Sequence, residues 1–213
     1  PRESMRLVGD PENPRLITNK TKIDHTEKML QWARERVIQL EKEDLCGFIF
    51  KKGSPSSGLY RVKVYTEKGM PGKTGSGLFA REFVRHFPHL PVEEDGRLND
   101  HKLRETFIES IFVFKRFRKM LEGKKSRGAI VDFHTKHKLL ILSHSQPVYR
   151  EMGPLVARGK SMGIDALFDE YEALFLKALK LKTTVPKNIN VLHHMAGYFK
   201  KNLAADEKQE LLG

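Results

Sequence analysis

A chain of 213 residues, 39% hydrophobic and 31% charged, is long enough for one large globular domain or two modest ones. Its longest purely apolar runs, residues 111–114 and 139–142, exclude a membrane span, and its single cysteine excludes an internal disulfide and points to the reducing cytoplasm. The net charge of +12 is uneven: residues 1–100 carry 18 Lys/Arg against 15 Asp/Glu, residues 101–213 carry 21 against 12, so a polyanion, nucleic acid first, is the expected partner of the second half.

The first half reads as α/β. Asp24 with Glu27 three residues later marks a capping-box-like helix start, and Met29, Trp32, Ala33, Arg36, Val37 and Leu40 follow at helical spacing. Residues 47–50 predict a short buried strand, 61–65 alternate like a second, and 78–87 predict an amphipathic helix. Between the last two, Gly69-Met70-Pro71-Gly72 is expected to be a turn from strand to helix. This order of elements is that of a layered α/β domain, but the piece is too small to close such a sheet alone. From Asn99 onward strand signals stop. Residues 101–121, 128–142, 146–157, 164–181 and 188–203 carry apolar residues at helical period, and 206–212 begin one more helix. Gly123, residues 143–145, residues 159–163 and Pro186 punctuate them, which predicts an all-α module with antiparallel neighbours. The fold class is therefore a partial Rossmann-like α/β domain (1–98), a linking basic helix (99–123) and an all-α helical domain (124–213).

Gly53-Ser54-Pro55-Ser56-Ser57-Gly58 follows the predicted strand at 47–50, and a Ser/Pro/Gly loop at a strand end is a common ligand position in α/β proteins. Gly72-Lys73-Thr74 suggests a phosphate loop, but that motif needs a glycine where Glu67 stands, so a turn is expected. His134 and His137 lie one helical turn apart, with His144 two turns further on. Lys136 and Lys138 flank them, and no carboxylate or thiolate sits at a useful offset, so hydrogen-bonded or phosphate-facing imidazoles are expected and no metal. Lys115, Arg116, Arg118, Lys119, Lys124, Lys125 and Arg127 set seven cations against Glu122, an arrangement suited to phosphate contacts, with Lys136, Lys138, Lys200 and Lys201 extending it. Phe107, Ile111, Phe114 and Leu121 form a core stripe beside that cluster. Cys46, beside the predicted strand, is expected to be a small core hydrophobe.

Asp44-Leu45-Cys46-Gly47-Phe48, the Ser-Pro-Ser-Ser-Gly loop, Arg61 to Tyr65, Gly69-Met70-Pro71, Thr74 to Phe79 and Leu90 to Leu98 together resemble the thiouracil desulfidase (TudS-like) family. Val131 to Leu140, Ser143-His144-Ser145, Tyr149 to Gly153, Asn190 to His194 and Gly197 to Lys201 resemble the YbgA-like domain. The resemblance implies a lineage of desulfidases that take sulfur from thiouracil or from 4-thiouridine in tRNA, using a [4Fe-4S] cluster held by three cysteines, with the helical module gripping the RNA. It places the third cluster cysteine at Ser57 and the catalytic-type serine at Ser56. The other two cysteines, one of them in a Cys-Pro-Glu motif, fall ahead of Pro1, and the helical domain stops short at its C-terminus. The resemblance thus implies no cluster in this chain as written and a truncated or inactive relative of the desulfidases, whether fragment, degenerate relative or engineered substitution. The competing readings are a non-catalytic RNA-binding protein and a helical protein-interaction module.

Overall fold

The computed structural model describes residues 3–199 and 203–212, and these fall into two compact units, Pro1–Lys115 and Arg116–Gly213. In the first unit β1 (Met5–Asp10) and β2 (Asn13–Thr18) form an antiparallel hairpin, with Gly9 at φ +97° on the approach to its turn. β3 (Phe48–Phe50), β4 (Val62–Tyr65), β5 (Pro71–Gly75) and β6 (Val92–Glu94) follow. A four-stranded mixed sheet runs β2-β1-β4-β5, with β1 and β4 parallel, and β3 pairs in parallel with β6 in a separate two-stranded sheet. Helices α1 (Thr26–Leu40) and α2 (Leu78–His86) pack against each other. Leu7, Leu16, Val62, Val64 and Leu78 bury the inner face of the larger sheet. Beside them Phe48, Phe50, Phe79 and Phe83 form an aromatic cluster, with Phe48 and Phe83 ring centres 4.3 Å apart.

The expected elements at 47–50, 61–65 and 78–87 are present as β3, β4 and α2. Asp24 accepts hydrogen bonds from the backbone N–H and hydroxyl of Thr26 at the start of α1. Three differences concern the strands, beginning with the β1–β2 hairpin, where no strand is expected. The turn expected at 69–72 lies earlier, where Gly69 at φ +80° donates to the Thr66 carbonyl, and Pro71 to Gly75 then form β5. This strand is solvent-facing along almost its whole length, so no apolar alternation announces it. β6 is three residues long and pairs with a strand more than 40 positions away, which no local pattern can show.

Helix α3 (His101–Glu122) begins in the first unit and ends in the second. The second unit continues with α4 (Arg127–His144), α5 (Gln146–Arg158), α6 (Ile164–Leu179), α7 (Val185–Phe199) and α8 (Ala205–Leu212). The expected helices are present, but their breaks differ in two places: α4 runs on through His144, so only Ser145 separates it from α5, and α7 begins at Val185, so Pro186 is its second residue rather than a break ahead of it. Ser126 caps α4 by accepting from the Ala129 N–H, and Ser145 caps α5 by accepting from Val148. Phe117, Phe133, Tyr171 and Phe175 stack in the core, with Phe117 and Phe175 centres 4.7 Å apart. The chain is thus α/β followed by all-α. No helix among the described residues is long and apolar enough to cross a membrane.

Candidate functional site

The Ser54–Gly58 loop is built by hydrogen bonds to its own backbone and to the start of α2. Gly58 donates to the Ser54 carbonyl at 2.8 Å, Phe79 donates to the Ser56 carbonyl at 2.8 Å, and Gly77 donates to the Gly58 carbonyl at 2.7 Å. Ser54 Oγ accepts from the Ser57 N–H at 3.2 Å and is hydrogen-bonded to Ser56 Oγ at 3.1 Å, either hydroxyl being able to donate. A Cβ on Gly77 would lie 2.4 Å from the Ser56 carbonyl oxygen, so the close approach of loop and helix requires glycine there. The far end of the loop is fixed by Glu94. Its buried carboxylate accepts from Leu59 N–H at 2.9 Å and Tyr60 N–H at 3.0 Å.

Ser56 and Ser57 line a cleft of about 800 Å³ whose other walls are Met5, Leu16, Ile23, Met29, Trp32 and Phe79. Glu3, Thr18, Thr21, His25 and Lys28 supply its polar rim. The Trp32 and Phe79 rings sit 5.3 Å apart, and Trp32 is 49% exposed. The sequence pattern puts Trp32 on the core stripe of α1; the structure places it on the cleft wall instead. Periodicity marks which face of a helix is apolar but not whether another element covers it. Glu3 is committed to structure: one oxygen accepts from the Lys20 and Thr21 backbones and the other from the Thr21 hydroxyl, which lowers its pKa below the ordinary carboxylate value. The Ser56 hydroxyl meets Ser54, and no imidazole or carboxylate bonds to it among the described residues. It can donate or accept a hydrogen bond to a ligand, but it has no adjacent base to make it a nucleophile.

A [4Fe-4S] cluster does not fit these residues. The loop presents hydroxyls, those of Ser54 and Ser56 bonded to each other, hydroxyls are poor cluster ligands, and the chain's one thiol is not among the cleft residues. Cys46 is half-buried, and its Sγ points to the Asp44 carbonyl at 3.6 Å. Among the described residues no group of three or more His, Cys, Asp or Glu side chains is placed to hold a metal ion.

The basic residues fall into distinct classes. Lys115 pairs with Asp44, Lys125 with Asp165 at 2.7 Å, and Lys136 with Asp132 at 2.6 Å. Arg127 donates to the Gly159 and Met162 carbonyls, both at 2.7 Å, which ties the loop before α6 to α4. The Lys138 ammonium sits 5.4 Å from the centre of the Tyr198 ring. Arg118 is half-buried, whereas Arg116, Lys119 and Lys124 are exposed and make no ion pair among the described residues. Lys200 and Lys201 lie outside the described residues.

His134 and His137 are each only 8% exposed, so neither presents an edge to solvent as a phosphate-facing pair would. His137 Nδ1 donates to the Phe133 carbonyl at 2.8 Å and its ring stacks on Phe133. His134 Nδ1 meets the Tyr171 hydroxyl at 3.4 Å. Their spacing on α4 is as expected, but the packing of α6 turns that face inward. Burial lowers both imidazoles below the ordinary value of 6.5, the nearby Lys138 adding to the effect at His134. Below that value the unfolded chain binds more protons than the folded one, so stability of the helical unit falls as pH drops. Thermal unfolding followed by circular dichroism should show a lower midpoint at pH 5.5 than at pH 7.5, and replacing both histidines by leucine should flatten the difference. An unchanged midpoint in the parent protein would contradict this.

Comparison with known proteins agrees with the division of the chain. The family described as 2-thiouracil desulfurase matches residues 1–95, and the family described as protein of unknown function (DUF1722) matches residues 138–213. The protein described as uncharacterized protein YbgA, from Escherichia coli (strain K12), is 30% identical over 115 residues, which cover 54% of this chain and 68% of that protein. No solved structure matches the chain.

Proposed function

Because the chain belongs to the YbgA-like family and carries a 2-thiouracil desulfurase-type domain ahead of its YbgA-like helices, we propose that it recognises thiolated uracil in tRNA or another structured RNA. The observation that carries this reading is the Ser56–Ser57 cleft: a space ample for a nucleoside, with an aromatic wall, two hydroxyls and a polar rim. A thiolated pyrimidine is flat and largely apolar on its faces, so Trp32 and Phe79 suit it by stacking, while Ser56 and Ser57 suit its edge. The helical unit supplies the RNA grip through Arg116, Lys119 and Lys124. Lacking thiolate ligands, this chain binds the thiolated base without removing its sulfur.

Trp32 is the only tryptophan in the chain, so its fluorescence reports on the cleft alone. Titration with 4-thiouridine or 2-thiouracil should quench it saturably, and Phe79→Ala should weaken the effect. Absence of saturable quenching would overturn the proposed base recognition.

Two further outcomes follow. Anaerobic reconstitution with iron and sulfide should leave the protein without a cluster, whereas about four irons per chain would show that thiolates are not needed. For tRNA binding, Arg116→Ala, Lys119→Ala and Lys124→Ala together should reduce the slope of log affinity against log salt by roughly 2–3. Lys125→Ala and Arg127→Ala should change it less, because those cations already have partners in the protein. An unchanged slope in the first triple variant would remove the RNA grip from these residues.

A further inference from the structure

A second cavity, of about 410 Å³, lies within the helical unit between α4, α5 and the start of α6. Its lining is mainly aliphatic: Ile130, Val131, Val156, Ala157 and Leu167. Gly153 keeps it open: it contributes no side chain, and a Cβ there would meet nothing within 4 Å. It precedes Pro154 inside α5, where glycine also avoids the crowding a Cβ would suffer against the proline ring. The polar feature of the cavity is His134, more than nine-tenths buried. Its Nδ1 is engaged by the Tyr171 hydroxyl, which leaves Nε2 without a protein partner among the described residues. That nitrogen keeps accessible surface and is open to a hydrogen-bonding ligand or water.

We propose that this cavity is a binding site for a neutral small molecule with an apolar body and one hydrogen-bond-accepting carbonyl-type group. Burial keeps the imidazole neutral at pH 7. In the tautomer the proposal requires, the Tyr171 hydroxyl donates to Nδ1 and the Nε2 proton meets the ligand's acceptor. Aliphatic walls hold the body, and the cavity is more than twice the ~150 Å³ of an engineered cavity that binds benzene. Arg127, also on the lining, is spent on two backbone carbonyls, so the site favours neutral ligands over anions. The site is independent of the desulfurase-type domain and of RNA binding.

The test uses the full chain and two fluorine-labelled probes followed by fluorine NMR: 4-fluoroacetophenone, which carries the acceptor, and 4-fluorotoluene, which does not. The ketone should bind saturably and roughly fivefold more tightly than the toluene, the ratio a single neutral hydrogen bond provides. His134→Leu, which preserves bulk, should abolish that preference while leaving toluene binding in place. Ala157→Trp, on the rim, should block both probes. Should the tryptophan variant fail to fold, judged by helical circular dichroism, the His134 ring resonances of the parent protein provide the second reading, since they should shift on adding the ketone. No saturable binding, equal affinity for the two probes in the parent protein, or His134 resonances that do not move would each overturn the proposal.

Discussion

Gly77→Ala should destabilise the first unit by about 3 kcal/mol. The new Cβ would lie 2.4 Å from the Ser56 carbonyl oxygen, 2.5 Å from its carbon and 2.8 Å from the Ser57 nitrogen, all of them backbone atoms that cannot rotate away. Loop and helix must separate, which breaks the bonds from Gly77 to Gly58 and from Phe79 to Ser56 and leaves their donors unsatisfied. Unfolding followed by Trp32 fluorescence measures this unit selectively, and a fall in midpoint of roughly 10–20 °C is expected at that energy. Gly53→Ala is the control: its φ of +68° makes alanine unfavourable, but nothing lies within 4 Å of the added carbon. Its loss should be only ~1 kcal/mol. Equal losses in the two variants would show that the docking of the loop on α2 is not what holds the cleft wall.

Glu94→Ala should cost a similar ~3 kcal/mol. The carboxylate is 2% exposed, and one of its oxygens receives both the Leu59 and the Tyr60 N–H. Alanine leaves two backbone donors without an acceptor in a place that water reaches poorly, and bonds to a charged acceptor are stronger than neutral ones. Glu94→Gln keeps an oxygen at that point and should recover more than half of the loss. The cleft should respond as well, because Leu59 and Tyr60 terminate the loop that carries Ser56 and Ser57; weaker Trp32 quenching by 2-thiouracil is expected in the alanine variant. If alanine and glutamine behave alike, the carboxylate does not hold the loop.

The two glycine predictions differ for a reason the sequence does not contain. Gly53 opens the Ser/Pro/Gly segment, Gly77 stands directly ahead of α2, and both read as loop glycines. Only the fold shows that one faces open space and the other the backbone of Ser56. The same holds for the histidines. Spacing along α4 puts His134 and His137 one turn apart, but the contact of Tyr171 on α6 decides that His134 is buried. The cations divide likewise, since Lys125 and Asp165 are 40 positions apart and their pairing leaves no trace in a local charge count.

By itself the sequence determined the succession of α/β and all-α halves, every helix from α1 to α8, the strands β3 and β4, and the Ser54–Gly58 loop as the place to look. Those features depend on local signals: periodicity, caps, and turn residues read over a few positions. Tertiary structure alone decided the edge strand β5, the long-range pair β3–β6, the exposure of Trp32 on the cleft, the anchoring of the loop by Glu94 and the cavity beside His134. Each of these depends on which distant segment covers a given face, and burial, unlike helical period, is a property of the assembled unit rather than of the residues that display it.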